Sequence, residues 1–226
     1  MKRIRPSYRG TTTRAWVRML ANAELPRFNR AEQIMSMPAM RQSHWTEAEV
    51  RQLIDETPDP TPRFELVGGE LLVTPSPGRL HQRLVLALAV RLDAFVRAHG
   101  LGELQISPSD VHLAPELVVQ PDLFVIPSDE GHRPRTTAPV RHLLLAIEIL
   151  SPGSARFDRV IKRRAYQSAG VPEYWIVDPD AQTVERWHPG DDRPDVLDRM
   201  LSWCPAGAHD ALVVDLIALF ADVCDA

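Results

Sequence analysis

A single acid inside an otherwise apolar run limits what this chain can fold into. Residues 142–150 read His-Leu-Leu-Leu-Ala-Ile-Glu-Ile-Leu, and Ser151, Pro152 and Gly153 follow. A run this short, rich in Leu and Ile and closed by turn residues, predicts a central strand buried on both faces. Glu148 sits near its end, where a carboxylate loses its hydration at a cost of several kcal/mol unless a cation or a set of donors replaces the water. A second acid, Asp122, opens another apolar run that reaches Pro127. Two acids on inner strands have two explanations: a bound metal, or a structural ion pair with a nearby arginine.

Strand alternation puts Leu144, Ala146, Glu148 and Leu150 on one side. If the Asp122 strand lies alongside, the two carboxylates converge at one end of the sheet. Oxygen ligands of this kind suit Mg²⁺ or Mn²⁺, which take one or two carboxylates, keep several waters and accept a phosphate oxygen. A water held by such an ion against a phosphodiester is the ingredient list for hydrolytic cleavage. Downstream, Asp158, Lys162 and Tyr166 stand four residues apart and share one stripe of a helix predicted over about 155–169. Lys162 there would position the attacking water or offset charge on the phosphate. An ordinary Asp158–Lys162 surface pair accounts for the same spacing.

The rest of the chain supplies a setting for these acids. Thr46-Glu-Ala-Glu49 has the form of a capping box and predicts a short helix to about Asp55. A proline-rich connection, 57–62, leads into a hairpin, 63–67 and 70–73, turned by Gly68 and Gly69. The strongest helical period runs from about Leu80 to Ala98, with Leu84, Val85, Leu88, Leu92, Phe95 and Val96 on one face. Strands are predicted near 104–106, 110–113, 118–126, 173–178, 183–187 and 196–203, and a last helix near 214–223. An Arg-, Pro- and Thr-containing loop, 129–140, precedes the Glu148 strand. This order predicts a mixed α/β sheet with helices packed on it.

Composition narrows the function classes. With 226 residues, 44% hydrophobic and 25% charged, the chain has an ordinary globular balance and can bury one core. No apolar stretch approaches the roughly 20 residues of a membrane span, and no signal-peptide pattern is present, so a cytoplasmic protein without a membrane partner is expected. Cys204 and Cys224 have no metal-ligand spacing and imply no disulfide framework. Charge is uneven: residues 1–42 hold nine Lys/Arg and two acids, while the remainder holds 17 basic and 28 acidic residues, a net −11. The basic leader reads as a disordered segment or an overlong gene start, or as an arm for nucleic acid or an anionic membrane. The expected division is this leader, 1–42, and one domain, 43–226.

The residues around the acids also resemble a family. Gln120-Pro-Asp122, Ile147-Glu-Ile-Leu-Ser-Pro152, Asp158-Arg-Val-Ile-Lys162, Tyr166 and Ala169-Gly-Val-Pro-Glu-Tyr-Trp-Ile-Val-Asp-Pro179 are similar to blocks of the Uma-type family of bacterial restriction-endonuclease-like proteins, as are Phe64 to Glu70 and Pro75-Ser-Pro77. The likeness spans roughly residues 45–222. It implies a restriction-endonuclease-like mixed sheet flanked by helices, with an N-terminal hairpin, and a site of the PD-(D/E)XK type. It further implies that Asp122 and Glu148 bind Mg²⁺ or Mn²⁺ and that the lysine, replaced by Leu150 two positions after Glu148, has moved to Lys162 on the next helix.

Remaining polar residues divide less sharply. Glu65 and Glu70 on the hairpin are either further metal-shell acids or surface charges. His81 could touch a phosphate but is expected to face solvent at a helix start, Asp178 to cap an Asp-Pro turn, and Tyr174 and Trp175 to be core. Arg156, Arg159, Arg163 and Arg164 could meet backbone phosphates, with Arg159 and Arg163 on one side. The expected function is a Mg²⁺-dependent endonuclease acting on DNA through Asp122, Glu148 and Lys162, possible as a homodimer. Two alternatives stand beside it: a non-catalytic nucleic-acid-binding or accessory domain on a lapsed nuclease scaffold, favoured by the acidic body, and a hydrolase of small phosphate esters.

Overall fold

The computed structural model describes residues 44–56, 62–128 and 140–224. The basic leader and most of the 57–62 and 129–140 connections lie outside them. The first described helix, α1 (Glu47–Glu56), starts on the capping box seen in the sequence. The Thr46 N–H donates to Glu49 Oε2 at 2.9 Å and the Glu49 N–H to Thr46 Oγ1 at 3.3 Å. Strands β1 (Arg63–Val67) and β2 (Glu70–Thr74) form the expected hairpin. Gly68 and Gly69, at φ 58° and 80°, give the two-residue turn its positive dihedrals. The long amphipathic helix is α2 (Arg79–Ala98), which buries the six apolar residues of the predicted face.

Two of the predicted strands are broken. The run 118–126 divides into β5 (Leu117–Val119) and β6 (Leu123–Pro127), which belong to different sheets. Pro121 has no N–H for a ladder and restricts Gln120, so the backbone turns from one sheet to the other there. Asp122 therefore stands at the entrance to β6 and not within a strand. The run 196–203 likewise divides into β10 (Asp195–Leu197) and β11 (Met200–Trp203), and residues 212–215, which the sequence placed partly in a helix, form β12 (Leu212–Asp215) paired with β11.

With β3 (Gly102–Ile106), β7 (Leu145–Ile149), β8 (Tyr174–Asp178) and β9 (Thr183–Trp187), the large sheet has the order β10-β9-β8-β7-β6-β3. Only β7 and β8 pair in parallel, through a crossover that contains a π-helical segment (Phe157–Lys162) continuing into α3 (Arg163–Ser168). The small sheet is β2-β1-β5-β4, with β4 at Val111–Ala114. This is the mixed sheet flanked by helices that the sequence order predicts.

Alternation along the central strands separates two cores. Leu145, Ile147, Ile149, Leu123, Val125 and Trp175 face α2 and the final helix α4 (Leu216–Cys224). Ala146, Leu150, Phe124, Tyr174 and Ile176 face the opposite way, toward Val67, Leu117 and Val119 of the small sheet and Tyr166 of α3. Glu148 lies on this second side, as its register with Ala146 and Leu150 requires.

Candidate functional site

Eight buried polar or charged side chains are found among the described residues: Arg63, Glu65, His81, Gln120, Asp122, Glu148, Asp158 and Lys162. Hydrogen bonds and ion pairs join most of them into one cluster where the chain passes from β5 into β6. Antiparallel pairing of β6 with β7 brings the start of β6 beside the end of β7. Asp122 Oδ2 accepts the Ile149 N–H at 2.9 Å, which fixes its carboxylate next to Glu148. The elements that carry the two acids thus lie side by side.

Lys162 ties the cluster together. Its Nζ is 2.9 Å from Glu65 Oε2, 3.0 Å from Glu148 Oε1 and 3.6 Å from Asp158 Oδ1. Tyr166 Oη donates to the same Glu148 oxygen at 3.1 Å. The stripe of residues 158, 162 and 166 thus faces the sheet, and the Asp158–Lys162 pair is buried, not a surface pair. The wide turn beneath it is π-helical, a form concentrated at functional sites. Glu65, one of the two hairpin acids left open by the sequence, belongs here and also accepts the Gln120 N–H at 2.8 Å. Glu70 is exposed on β2.

On the other side of the cluster, Arg63 Nη1 donates to Asp122 Oδ1 at 2.9 Å, and His81 Nε2 lies 2.9 Å from Asp122 Oδ2. His81 is buried in the first turn of α2, contrary to the expected solvent-facing position, because the carboxylate gives its ring a polar partner inside. Arg63 is the residue the sequence reading missed. Its signal was the spacing of Arg63 and Glu65, which puts both on one face of a strand whose every residue is buried. In the structure Asp122 is paired with an arginine and Glu148 with a lysine.

The other arginines are placed elsewhere. Arg159 bonds Asp178 and Glu185, and Arg163 lies over the Trp187 ring at 4.6 Å. Arg156 and Arg164 are exposed. Asp178 caps its turn as expected, accepting the Asp180 and Ala181 N–H groups at 3.0 Å, and Tyr174 and Trp175 are buried in the core.

Electrostatics follow from this packing. Burial pushes Glu148 well above the usual carboxylate range; Lys162 opposes that rise, while Asp158, Asp122 and Glu65 add to it. Burial raises Asp158 too, against the pull of Lys162. Burial also works against the Lys162 charge, yet Glu148, Glu65 and Asp158 outweigh it and raise that group well above an ordinary lysine. Asp122 goes the other way, to about 2, because His81, Arg63 and the Ile149 N–H overcome its desolvation.

Four buried carboxyl groups (Glu65, Asp122, Glu148, Asp158) gather with Arg63, Lys162 and the His81 ring, so acidic groups outnumber the permanent cations, and carboxylate oxygens are the ligands a hard divalent ion takes. Glu148 Oε1 receives both Lys162 and Tyr166, which leaves Oε2 as the oxygen it can offer. Among the described residues, no three acidic, His or Cys side chains are gathered at metal-binding distances. The fit to a divalent ion such as Mg²⁺ or Mn²⁺ thus lies in the oxygen ligand type alone.

A family model described as "Putative restriction endonuclease", Uma2, matches residues 48–201. The chain belongs to the Uma2 family. The Uma2 match takes in every residue of the cluster, from Arg63 to Tyr166, and begins after the basic leader. Among solved structures, a putative nuclease belonging to DUF820 from Anabaena variabilis ATCC 29413 is similar at 20% identity, over 74% of this chain and 95% of that one, with a TM-score of 0.62. At that identity the likeness establishes the fold: the mixed α/β sheet flanked by helices is shared with a nuclease-like protein. Comparison with curated proteins finds no match. No helix among the described residues is long and apolar enough to cross a membrane.

Proposed function

We propose that this Uma2-family chain is a divalent-metal-dependent endonuclease that hydrolyses DNA phosphodiester bonds, with Asp122 and Glu148 as metal ligands and Lys162 in the electrostatic role. The observation that carries the reading is the gathering of four carboxyl groups in one buried cluster. A fold gains little from burying four carboxylates against two cations, since each ion costs several kcal/mol to desolvate, whereas a site built to accept a cation and a phosphate has a use for them. Family membership supports the same class of reaction.

When bound, Mg²⁺ or Mn²⁺ supplies Lewis-acid activation of a water and neutralises charge on the phosphate. The chain's own groups do the positioning. The Ile149 N–H and His81 hold Asp122 Oδ2, and Tyr166 holds Glu148 Oε1. Lys162 remains protonated at any working pH and brings a fixed positive charge beside Glu148, where it can offset negative charge developing on a phosphoryl oxygen. A pair of copies is the simplest arrangement for cutting both strands of a duplex.

A second reading, a nucleic-acid-binding or accessory domain without catalysis, draws on the engagement of both Asp122 oxygens by internal donors and on the net −11 outside the leader. Plasmid DNA incubated with Mg²⁺ and the full chain separates the two. Nicking or linearisation that disappears in Glu148→Gln is the expected result. Retained DNA binding with no cleavage under Mg²⁺ or Mn²⁺ supports the second reading, and cleavage of small phosphodiesters alone would make the protein a phosphoesterase of another kind.

A further inference from the structure

The two cations of the cluster are held differently. Lys162 contacts three carboxylates and lies at the centre. Arg63 reaches Asp122 through one nitrogen only: Nη1 makes the 2.9 Å contact with Asp122 Oδ1 and also donates to Ser107 Oγ at 2.8 Å and to the Gln120 carbonyl at 3.4 Å. The two-nitrogen fork that makes arginine–carboxylate pairs strong is not formed. Arg63 Nε is buried and has no hydrogen-bond partner among the described residues. If Nη1 gives up Asp122, the guanidinium keeps its serine and carbonyl acceptors, so release costs one bond out of three.

Meanwhile Asp122 Oδ2 is occupied by His81 and the Ile149 N–H. Oδ1 is thus the oxygen an incoming cation can take, and the group standing on it is Arg63. We propose that Arg63 is an internal competitor for the divalent ion, and that exchange of its guanidinium off Asp122 Oδ1 sets how tightly the ion is held. The inference rests on the metal reading above and adds to it a regulating residue. In this arrangement the arginine keeps the Asp122 carboxylate partnered and in place, and weakens divalent binding because every ion must first displace it. Removing the positive charge at residue 63 both frees the oxygen and deepens the negative potential of the cluster, and each effect favours a cation.

Mn²⁺ binding to the full chain, measured by calorimetry in the absence of DNA, tests this. Arg63→Gln is expected to bind Mn²⁺ at least about tenfold more tightly than wild type, while Arg63→Lys, which keeps the charge, stays within about threefold of it. Equal or weaker binding by Arg63→Gln, with wild type binding normally, overturns the competitor role and leaves the metal reading intact. No Mn²⁺ bound by wild type or by either variant removes both. Should Arg63→Gln not fold, wild type decides alone: the Arg63 side-chain Nε–H resonance must shift on saturation with Mg²⁺, and an unchanged resonance in the saturated protein sinks the proposal.

Discussion

Lys162 Nζ lies 3.0 Å from Glu148 Oε1, with the ammonium and carboxylate both almost wholly withdrawn from water. The ammonium has no low-cost environment without its carboxylates. Replacing Lys162 by Met leaves Glu65, Glu148 and Asp158 without their shared cation, and loss of one partner from a buried pair typically costs about 3–5 kcal/mol. Urea denaturation should show a destabilisation of that size. Adding Glu65→Gln to Lys162→Met should recover part of it, because one of the stranded charges is gone. A Lys162→Met protein as stable as wild type would mean that the cluster is already neutral.

Glu148→Gln is expected to behave in the opposite manner. The amide oxygen can still accept from Tyr166 and Lys162, so the local hydrogen bonds survive, and a carboxylate that resists ionisation is removed. Thermal stability at neutral pH should be unchanged or higher. DNA cleavage should fall by at least about a hundredfold, the scale seen when a group that stabilises the transition state electrostatically is lost. A variant that is folded and fully active would take Glu148 out of the site.

Much of this arrangement is legible in the sequence alone. Glu148 announces itself as an acid in a Leu/Ile run, and the i, i+4 spacing of residues 158, 162 and 166 places them on one stripe. The hairpin, α1 and α2 follow from two adjacent glycines, a capping box and a 3.6-residue period. What escaped was long-range. Nothing local tells that β5 and β6 enter different sheets, because Val118 to Ile126 is apolar on both sides of Pro121 and reads as one strand. Arg63 and His81 escaped for a related reason: their burial depends on a partner, Asp122, that lies 59 and 41 residues away in sequence. A charged residue near an element's start looks solvent-facing until its counter-charge is placed.

The pH dependence of stability has a definite sign. Glu148 and Asp158 hold their protons to higher pH in the folded chain than in the unfolded one, so between their ordinary and raised values the native state binds more protons and stability falls as pH rises. Asp122, depressed to about 2 from 3.8, contributes in the reverse sense: its stabilisation is present above its ordinary value and is lost as pH drops toward 2. The melting temperature should therefore rise on going from neutral pH toward about 4.5, then fall below about 4. Glu148→Gln should flatten the upper limb and leave the lower one in place. A melting temperature that climbs steadily from pH 5 to 8 would contradict the raised acids.

Divalent ions provide the remaining test, and the least demanding one. A ligand that binds only the folded state stabilises it by about 2.7 kcal/mol at a hundred times its dissociation constant. For a chain of this length that corresponds to a rise of about 5–10 °C in the melting temperature. Wild type should show such a rise with Mn²⁺ or Mg²⁺ at constant ionic strength, and Ca²⁺ should give a smaller one if the site favours the compact coordination of Mg²⁺. Asp122→Asn should give a flat response, since the neutral amide supplies a poorer oxygen and reduces the negative excess. The same variant also loses the Arg63 ion pair, so its melting temperature without metal should be lower than that of wild type. A wild-type response no larger than that of Asp122→Asn would show that the acidic excess of the cluster is balanced from within, by protons held on Glu148 and Asp158, and not by a metal.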